Sequence, residues 1–219
     1  VNREPFELDP EMFDSILPDY VRTHSPRIAA GLGTIPKVVA NGAPIYADTL
    51  EFSEARQRID NFYLPYHDAL KQLLKKAKGK FGGSLLIDCH SMPSQGAIGR
   101  RTGVFKNIDI VLGDNHNTSC AAEVTALAEQ VLTSSGLRVI RNRPYAGGYI
   151  TQHYGQPEIG SHTLQIEINR SLYMDERRIE RSPKLPGLIR CISRLVKALT
   201  NIDPGILRPV AQSTPKAAE

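Results

Sequence analysis

Stretches with the apolar spacing of helices and of strands follow one another along most of the chain. Beyond the first fifty residues, where prolines interrupt every pattern, apolar side chains recur at helical spacing from Ile59 to Leu74, and again over residues 118–134 and 189–199. Four short apolar runs are typical of strands: residues 84–89, 107–112, 137–141 and 163–168. This alternation predicts an α/β layered domain with helices packed on a largely parallel sheet.

Local signals predict the ends of the first long helix. Ser53 is suited to be its N-cap, with Glu54 in the first turn, where a negative charge favours the helix dipole. Pro65 lies inside the helix and predicts a kink, and Gly79 with the pair Gly82-Gly83 predicts its end. A shorter helix is expected over residues 11–16, within the proline-rich segment.

The length of 219 residues suits one large domain. We expect residues 1–203 to form that domain and residues 204–219 to form a loosely ordered tail. The chain begins with Val1 rather than Met, so we also expect that the N-terminal part of the domain is missing before Val1.

The charge limits the kinds of binding partner, and the cysteines indicate the cellular compartment. The formal net charge is +4, from 27 Lys and Arg residues against 23 Asp and Glu residues, and the basic residues are scattered. A nucleic-acid site needs a clustered basic patch, and a membrane span needs ~20 apolar residues, so we expect neither partner. The three widely spaced cysteines, Cys89, Cys120 and Cys191, do not suggest a disulfide framework and favour the cytoplasm.

Reactive side chains stand at the end of the strand predicted over residues 84–89. Asp88 and His90 are two residues apart, so both point to the same face of a strand, while Cys89 points to the other. This arrangement suits a metal site with His90 as ligand and Asp88 as its orienting neighbour. The alternative is a strand-end histidine whose hydrogen bonds go to the backbone. A thiol hydrolase using Cys89 is a separate possibility, although the diverging side chains disfavour a Cys89–His90 pair.

A second candidate lies in the strand predicted over residues 163–168. Alternation puts Leu164, Ile166 and Ile168 on one face and Gln165, Glu167 and Asn169 on the other. If the second face is also covered, burial raises the pKa of Glu167, as a general base working near neutral pH requires. The alternative is a strand with one face in water and Glu167 exposed there.

Residues 145–154 predict a glycine-marked loop or bent strand that could close on a substrate. The pair Gly147-Gly148 allows a tight turn or a close approach of the backbone to a ligand. Polar side chains able to hydrogen-bond follow it: Tyr149, Thr151, His153 and Tyr154. A structural turn is the alternative. Guanidinium groups that could hold a carboxylate occur at Arg3 (after Asn2), Arg101 and Arg143.

Together these segments resemble the N-formylglutamate amidohydrolase family, from Val1 to about Asp175. The motifs that carry the resemblance, in family order, are VNREPFELDP, GLGTIPKVV, PYHDAL, DCHSMPS, LGDNH, PYAGGYITQHYG and LQIEINRSLYMDE. The resemblance implies a three-layer α/β/α fold with a mixed, largely parallel sheet, similar to that of zinc carboxypeptidases and aspartoacylase. It also implies hydrolysis of the formyl amide of N-formyl-L-glutamate to formate and L-glutamate, in histidine degradation.

The resemblance further implies roles for single residues. His90 matches a ligand of one catalytic zinc ion, Glu167 matches the general base, and Asn2-Arg3 matches a pair that faces the substrate. The other metal ligands of the family lie in a motif near its start that this sequence does not contain, so we expect them upstream of Val1. The expected partner is a small anionic N-acyl amino acid, and the expected assembly is a monomer or homodimer.

Two other functions stay open at this point. The first is a related metallo-hydrolase that acts on another N-acyl amino acid or a peptide. The second is a degenerate family member that binds an acidic metabolite without turnover, which a chain lacking the other metal ligands would favour.

Overall fold

A computed structural model of the chain describes residues 1–39, 42–94 and 108–209, which fall in two compact units. The first unit is Val1–Leu73, and the second contains Leu74–Ser94 together with residues 108–209. The α-helices of the described residues are α1 (Pro26–Ala29), α2 (Phe52–Arg58), α3 (Leu64–Phe81), α4 (Ala122–Ser134), α5 (Tyr149–Tyr154) and α6 (Leu185–Thr200). The strands are β1 (Ser84–Met92), β2 (Ile110–Gly113), β3 (Val139–Arg141), β4 (Ser161–Asn169), β5 (Met174–Asp175) and β6 (Glu180–Arg181).

The second unit is built on a mixed four-stranded sheet in the order β1-β4-β2-β3. β1 and β4 are parallel, β2 and β3 are parallel, and the two pairs join where β2 runs antiparallel to β4. α4 links β2 to β3, as a parallel pair requires of its crossover. The predicted α/β class and largely parallel sheet are confirmed.

Helices cover both faces of this sheet. On one face α4 and α6 pack on each other and on an apolar layer from the strands. The buried members of this core are Ile110, Leu112, Cys120, Val124, Ala128, Leu132, Leu164, Ile166, Leu195 and Leu199. On the other face α5 contacts β4 and β1. The inner strands β2 and β4 are buried along nearly their whole length. β1 lies at the edge of the sheet and is mostly half-buried, with Cys89 exposed, so a strand buried on both faces describes β2 and β4 but not residues 84–89.

The first unit has a small core of its own and little regular structure. Its buried apolar residues are Leu8, Met12, Phe13, Val21, Ile35 and Ala55. The helix predicted over residues 11–16 is only a 3₁₀ turn, Pro10–Met12, which Asp9 caps by accepting a hydrogen bond from the Glu11 N–H at 3.0 Å. Phe13 is already extended, so the helix cannot continue.

The predicted start of the long helix is wrong, and the predicted kink at Pro65 stays a prediction. α2 begins at Phe52, with Glu51 rather than Ser53 at the N-cap position. A π-helical turn, Ile59–Tyr63, separates α2 from α3, and Pro65 is the second residue of α3. A proline removes one backbone donor and crowds the carbonyl four residues earlier, and a wider π-turn just before it relieves this conflict. The predicted end is correct, since Gly82 follows Phe81 with a φ of +82°.

Two further segments differ from the sequence prediction or extend it. Residues 149–154 form the short helix α5 rather than a loop or bent strand. Pro204–Leu207 forms a 3₁₀ helix, and Ile206 and Leu207 pack against the core of the second unit. The single domain over residues 1–203 and the loose tail stay predictions, and residues 210–219 lie outside the described part. Among the described residues, no helix has the length and apolar character that a membrane crossing needs.

Candidate active site

The parallel pairing of β1 with β4 brings the two candidate residues into register. Asp88 lies opposite Gln165, and His90 lies opposite Glu167. Residues at matched positions of neighbouring strands point to the same face, so these four side chains form one polar group beside α5. The group lies toward the carboxyl ends of two parallel strands, where ligands bind in open α/β sheets.

His90 and Asp88 interact as the strand spacing predicted. The His90 Nε2 and the Asp88 Oδ2 are 2.9 Å apart. A carboxylate oxygen accepts hydrogen bonds, so Nε2 is the donor in this pair. A carboxylate in this position fixes the tautomer and ring orientation of a histidine, and that is the usual surrounding of a metal-binding imidazole.

Glu167 is buried rather than in water, so the alternative of a wet strand face is wrong. Its exposed fraction is 8%, and its Oε1 accepts a hydrogen bond from the Gln165 Nε2 at 3.0 Å. Burial is the main cause that raises the pKa of Glu167. The negative charge of Asp88 raises it further, while His90 and Arg170 act in the opposite direction. The group therefore meets the electrostatic condition set for a general base.

The sequence did not single out several side chains around Glu167. Burial raises the pKa of Tyr145, and the charge of Glu167 adds to the shift. Arg170 follows β4 and donates from its Nε to the Ser91 Oγ at 3.3 Å. Gln165 was placed on the correct face, but nothing in the alternation indicated its contact with Glu167. These roles depend on which strands pair, which the sequence pattern does not contain.

A second set of contacts ties together the segments that follow β1 and β4. The Glu176 Oε2 accepts hydrogen bonds from the backbone N–H of Ser94, at 3.0 Å, and from the Ser94 hydroxyl. The other oxygen of Glu176 lies 3.8 Å from the Arg170 guanidinium. Arg170 and Glu176 therefore hold the residues that directly follow β1, close in sequence to His90.

α5 carries three of the predicted substrate-binding residues. The Tyr149 and His153 rings stack with centroids 4.9 Å apart, as residues four apart on a helix can. Thr151 is fully buried and packs against Gly147, where an added Cβ would lie 2.6 Å from the Thr151 Cγ2. The φ of +131° at Gly147 also disfavours any side chain there. The glycine pair was read from the sequence as a loop signal, but it forms the entry to a helix. Binding of substrate by these three residues stays a prediction.

Cys89 points away from this group and is poorly suited to be a nucleophile. Partial burial is the main cause that raises the pKa of its thiol, and the neighbouring charge of Asp88 adds to it. A reactive cysteine needs the opposite shift, because the thiolate is the nucleophile. All three cysteines are free.

The described residues contain no cluster of three or more His, Cys, Asp or Glu side chains that could hold a metal ion. A catalytic zinc takes three protein ligands. His90, oriented by Asp88, has the chemistry of one such ligand. By themselves, the residues in the described part of the chain therefore do not fit a complete zinc site.

The predicted arginines lie in different places. Asn2 and Arg3 belong to the first unit, where the Arg3 Nε donates to the Leu32 carbonyl at 3.1 Å and Nη1 donates to the Asn2 carbonyl at 2.7 Å. Arg143 is exposed and lies after β3. Arg101 lies outside the described residues. Contact of these side chains with substrate stays a prediction.

Comparison with known proteins gives one family. The model of the family described as N-formylglutamate amidohydrolase matches residues 1–174. The chain is 34% identical over 153 residues to an N-formylglutamate deformylase of Pseudomonas aeruginosa, covering 68% of this chain and 56% of that protein. It is 30% identical over 152 residues to one of Pseudomonas putida, covering 67% and 55%. The chain therefore spans just over half the length of these relatives.

Solved structures agree with the fold. The crystal structure of an N-formylglutamate amidohydrolase from Ralstonia eutropha JMP134 superposes with a TM-score of 0.80 at 31% identity, covering 91% of this chain and 70% of that one. A gene product of Agrobacterium tumefaciens, at 17% identity, superposes with a TM-score of 0.57 over 92% of this chain and 66% of its own, and shares the fold alone.

Proposed function

Because this chain belongs to the N-formylglutamate amidohydrolase family, we propose that the protein hydrolyses the formyl amide of N-formyl-L-glutamate to formate and L-glutamate. The observation that carries the proposal is the buried carboxylate of Glu167, opposite His90 in the paired strands β1 and β4. Amide hydrolysis needs a base that is ionised near neutral pH and can also return a proton. A carboxylate with a raised pKa suits both tasks.

In this proposal Glu167 takes a proton from the attacking water. The same carboxyl then gives the proton to the departing amine of glutamate, so that Glu167 is regenerated at the end of each turnover. The charge of Arg170 lowers the pKa of Glu167, and the charge of Glu167 raises the pKa of the Tyr145 phenol. We propose that Tyr145 or Arg170 stabilises the negative charge that develops on the formyl oxygen.

Zinc dependence is a separate part of the proposal and rests on His90 with Asp88. A bound zinc would supply a Lewis acid for the formyl carbonyl. Since the described residues hold no three-ligand group, the remaining ligands would have to come from elsewhere in the protein. The steps given above therefore use only the protein groups.

The substrate has two carboxylates, which guanidinium groups bind well because their planar fork matches the two oxygens. We propose that Arg3 with Asn2, and Arg101 or Arg143, bind these carboxylates. Three residues of α5 are proposed to contact the substrate as well: Tyr149, Thr151 and His153. A cytoplasmic step in histidine degradation, performed by a monomer or homodimer, completes the proposal. The three free cysteines are in keeping with that compartment.

The test is release of formate from N-formyl-L-glutamate by protein expressed from the intact gene, with the metal content measured by mass spectrometry on the same sample. About one zinc per chain is expected, with loss of both zinc and activity in His90→Ala. His24→Ala, which changes an exposed histidine of the first unit, is the matched control and should keep both.

Other outcomes select another function. Activity on a different N-acyl amino acid, with the same loss in His90→Ala, would indicate the related metallo-hydrolase. A protein that takes up no metal after zinc supplementation and releases no formate would contradict the proposed reaction, and the degenerate binder would then be favoured.

A further inference from the structure

Gln165 lies on the polar face of β4 and makes a hydrogen bond with each end of its amide. Its exposed fraction is 4%. The Oε1 accepts from the backbone N–H of Gly148 at 2.8 Å, and the Nε2 donates to the Glu167 Oε1 at 3.0 Å. Gly148 is the N-cap residue of α5. One buried amide therefore joins the start of α5 to the carboxylate of Glu167.

The chemistry of these partners leaves one orientation for the amide. A backbone N–H can only donate, so it must face the Gln165 oxygen. The nitrogen end of the amide then faces Glu167, and this nitrogen can also only donate. The Glu167 Oε1 must therefore offer a lone pair. The hydroxyl oxygen of a carboxylic acid is a weaker acceptor than its carbonyl oxygen, so a proton on Oε1 would weaken this contact, whereas a proton on Oε2 leaves it intact.

We infer that Gln165 is a positioning residue for Glu167: it reserves Oε1 as an acceptor, so the proton that the carboxylate takes is carried on Oε2. This inference rests on the proposed function of Glu167 as the base. One proton moves, from the attacking water to Oε2 and from Oε2 to the departing amine. The same side chain keeps the carboxylate in a fixed position relative to α5, which carries Tyr149 and His153.

Two substitutions separate the two ends of the amide. Gln165→Met removes both hydrogen bonds at nearly constant volume. Gln165→Glu keeps an oxygen for the Gly148 N–H but replaces the donor that faces Glu167. Gln130→Met, at an exposed position on α4, is the control for the substitution itself.

The first measurement is hydrogen exchange of single amides by NMR, which does not depend on activity or on metal. The Gly148 amide should exchange faster in Gln165→Met and at the wild-type rate in Gln165→Glu. The Gly155 amide, which donates to the Thr151 carbonyl at 3.1 Å within the same segment, reports whether α5 is still folded. Unchanged exchange of Gly148 in Gln165→Met would overturn the inference.

The second measurement is kcat and KM for formate release. Loss of a hydrogen-bond partner that orients a metal ligand typically lowers metal affinity or activity by 10–100-fold. By analogy, we expect a loss of about 10–100-fold in kcat for both Gln165 variants, with KM nearly unchanged. Wild-type kcat in Gln165→Glu would contradict the donor role, because a merely structural role is met by either side chain. If the wild-type protein itself releases no formate, the proposed reaction fails, while the exchange of Gly148 still decides whether Gln165 holds α5.

Discussion

The two faces of β4 are both buried, yet one carries mainly apolar side chains and the other carries polar ones. On the face toward α4 and α6, Leu164 and Ile166 are 0% and 1% exposed. On the face beside α5, Thr163 and Glu167 are 0% and 8% exposed. Burying apolar surface stabilises a fold, whereas burying a carboxylate or an unpaired hydroxyl works against it. The comparison indicates that the first face stabilises the second unit, whereas the second face costs stability and carries the polar side chains of the candidate site.

The largest effect should come from Glu167→Gln. Loss of a general base typically lowers kcat by about 10²–10⁴-fold. Formate release is the assay, and a kcat within threefold of wild type would show that Glu167 is not the base.

The same variant should be more stable than wild type, in a defined pH range. The pKa of Glu167 is raised in the folded state above its ordinary value of 4.5, so the folded protein favours the protonated form. The stabilisation linked to this proton is complete below the ordinary pKa and is lost as the pH rises through the folded pKa. The neutral Gln should therefore raise the Tm at pH 7 and bring no advantage below about pH 4.5. An equal advantage at both pH values would contradict this explanation.

The apolar face should show the reverse pattern, with a large loss of stability. Ile166→Ala should lower the free energy of unfolding by about 2–5 kcal/mol, because it removes buried methyl groups and leaves a cavity. Urea titration measures the loss. Ile166→Val is the milder control and should lose about 0.5–1.5 kcal/mol. A loss below about 1 kcal/mol in the Ala variant would mean that this face is not tightly packed.

A smaller gain is expected from the polar face. The Thr163 hydroxyl is buried, and no hydrogen-bond partner for it exists among the described residues. Thr163→Val keeps the shape and removes this hydroxyl, so it should stabilise the protein by about 1 kcal/mol in the same urea titration. The paired control is Ser119→Ala. The Ser119 hydroxyl donates to the Thr163 carbonyl at 2.9 Å, so its removal should lower the free energy of unfolding by about 1 kcal/mol. Destabilisation by both changes would show that the Thr163 hydroxyl has a partner.

The smallest effect should follow from Cys89→Ser. Cys89 belongs to the side of β1 that points away from Glu167, and the pKa of its thiol is raised. We expect kcat and KM to stay within about twofold of wild type, because the reaction proposed for Glu167 does not use the thiol. Loss of activity on this change, or on alkylation of the wild-type protein without loss of metal, would instead support a thiol hydrolase.

The faces of the sheet could be predicted because strand periodicity is local. Two-residue spacing alone placed Asp88 with His90 and Glu167 with Gln165, and the structure confirms both pairs. The antiparallel pairing of β2 with β4 could not be predicted, since pairing is decided by contacts between distant segments. The helix α5 was missed because two glycines and β-branched or aromatic residues are poor helix formers, and packing on the sheet overrides that preference.

The turn after β2 shows another limit of sequence reasoning. Asn115, His116 and Asn117 all have φ values between 50° and 67°, a conformation that side chains disfavour. Asp114 stabilises this turn, since its Oδ1 accepts from the Asn117 N–H at 2.9 Å and from the Asn142 side chain at 2.8 Å. Asn142 belongs to the segment after β3, so the bond that fixes the turn comes from elsewhere in the chain.

The pairing of β1 with β4 also has a consequence for how the protein folds. The contacts that bring these strand ends together join residues 79 and 82 positions apart, Arg170 with Ser91 and Glu176 with Ser94. Ordering so long a loop carries an entropic penalty before any contact compensates for it. His90 and Asp88 are neighbours in any extended chain, but Glu167 joins them only when the sheet closes. A nascent or partly folded chain therefore contains the imidazole–carboxylate pair without Glu167, and the proposed reaction would require the completed sheet.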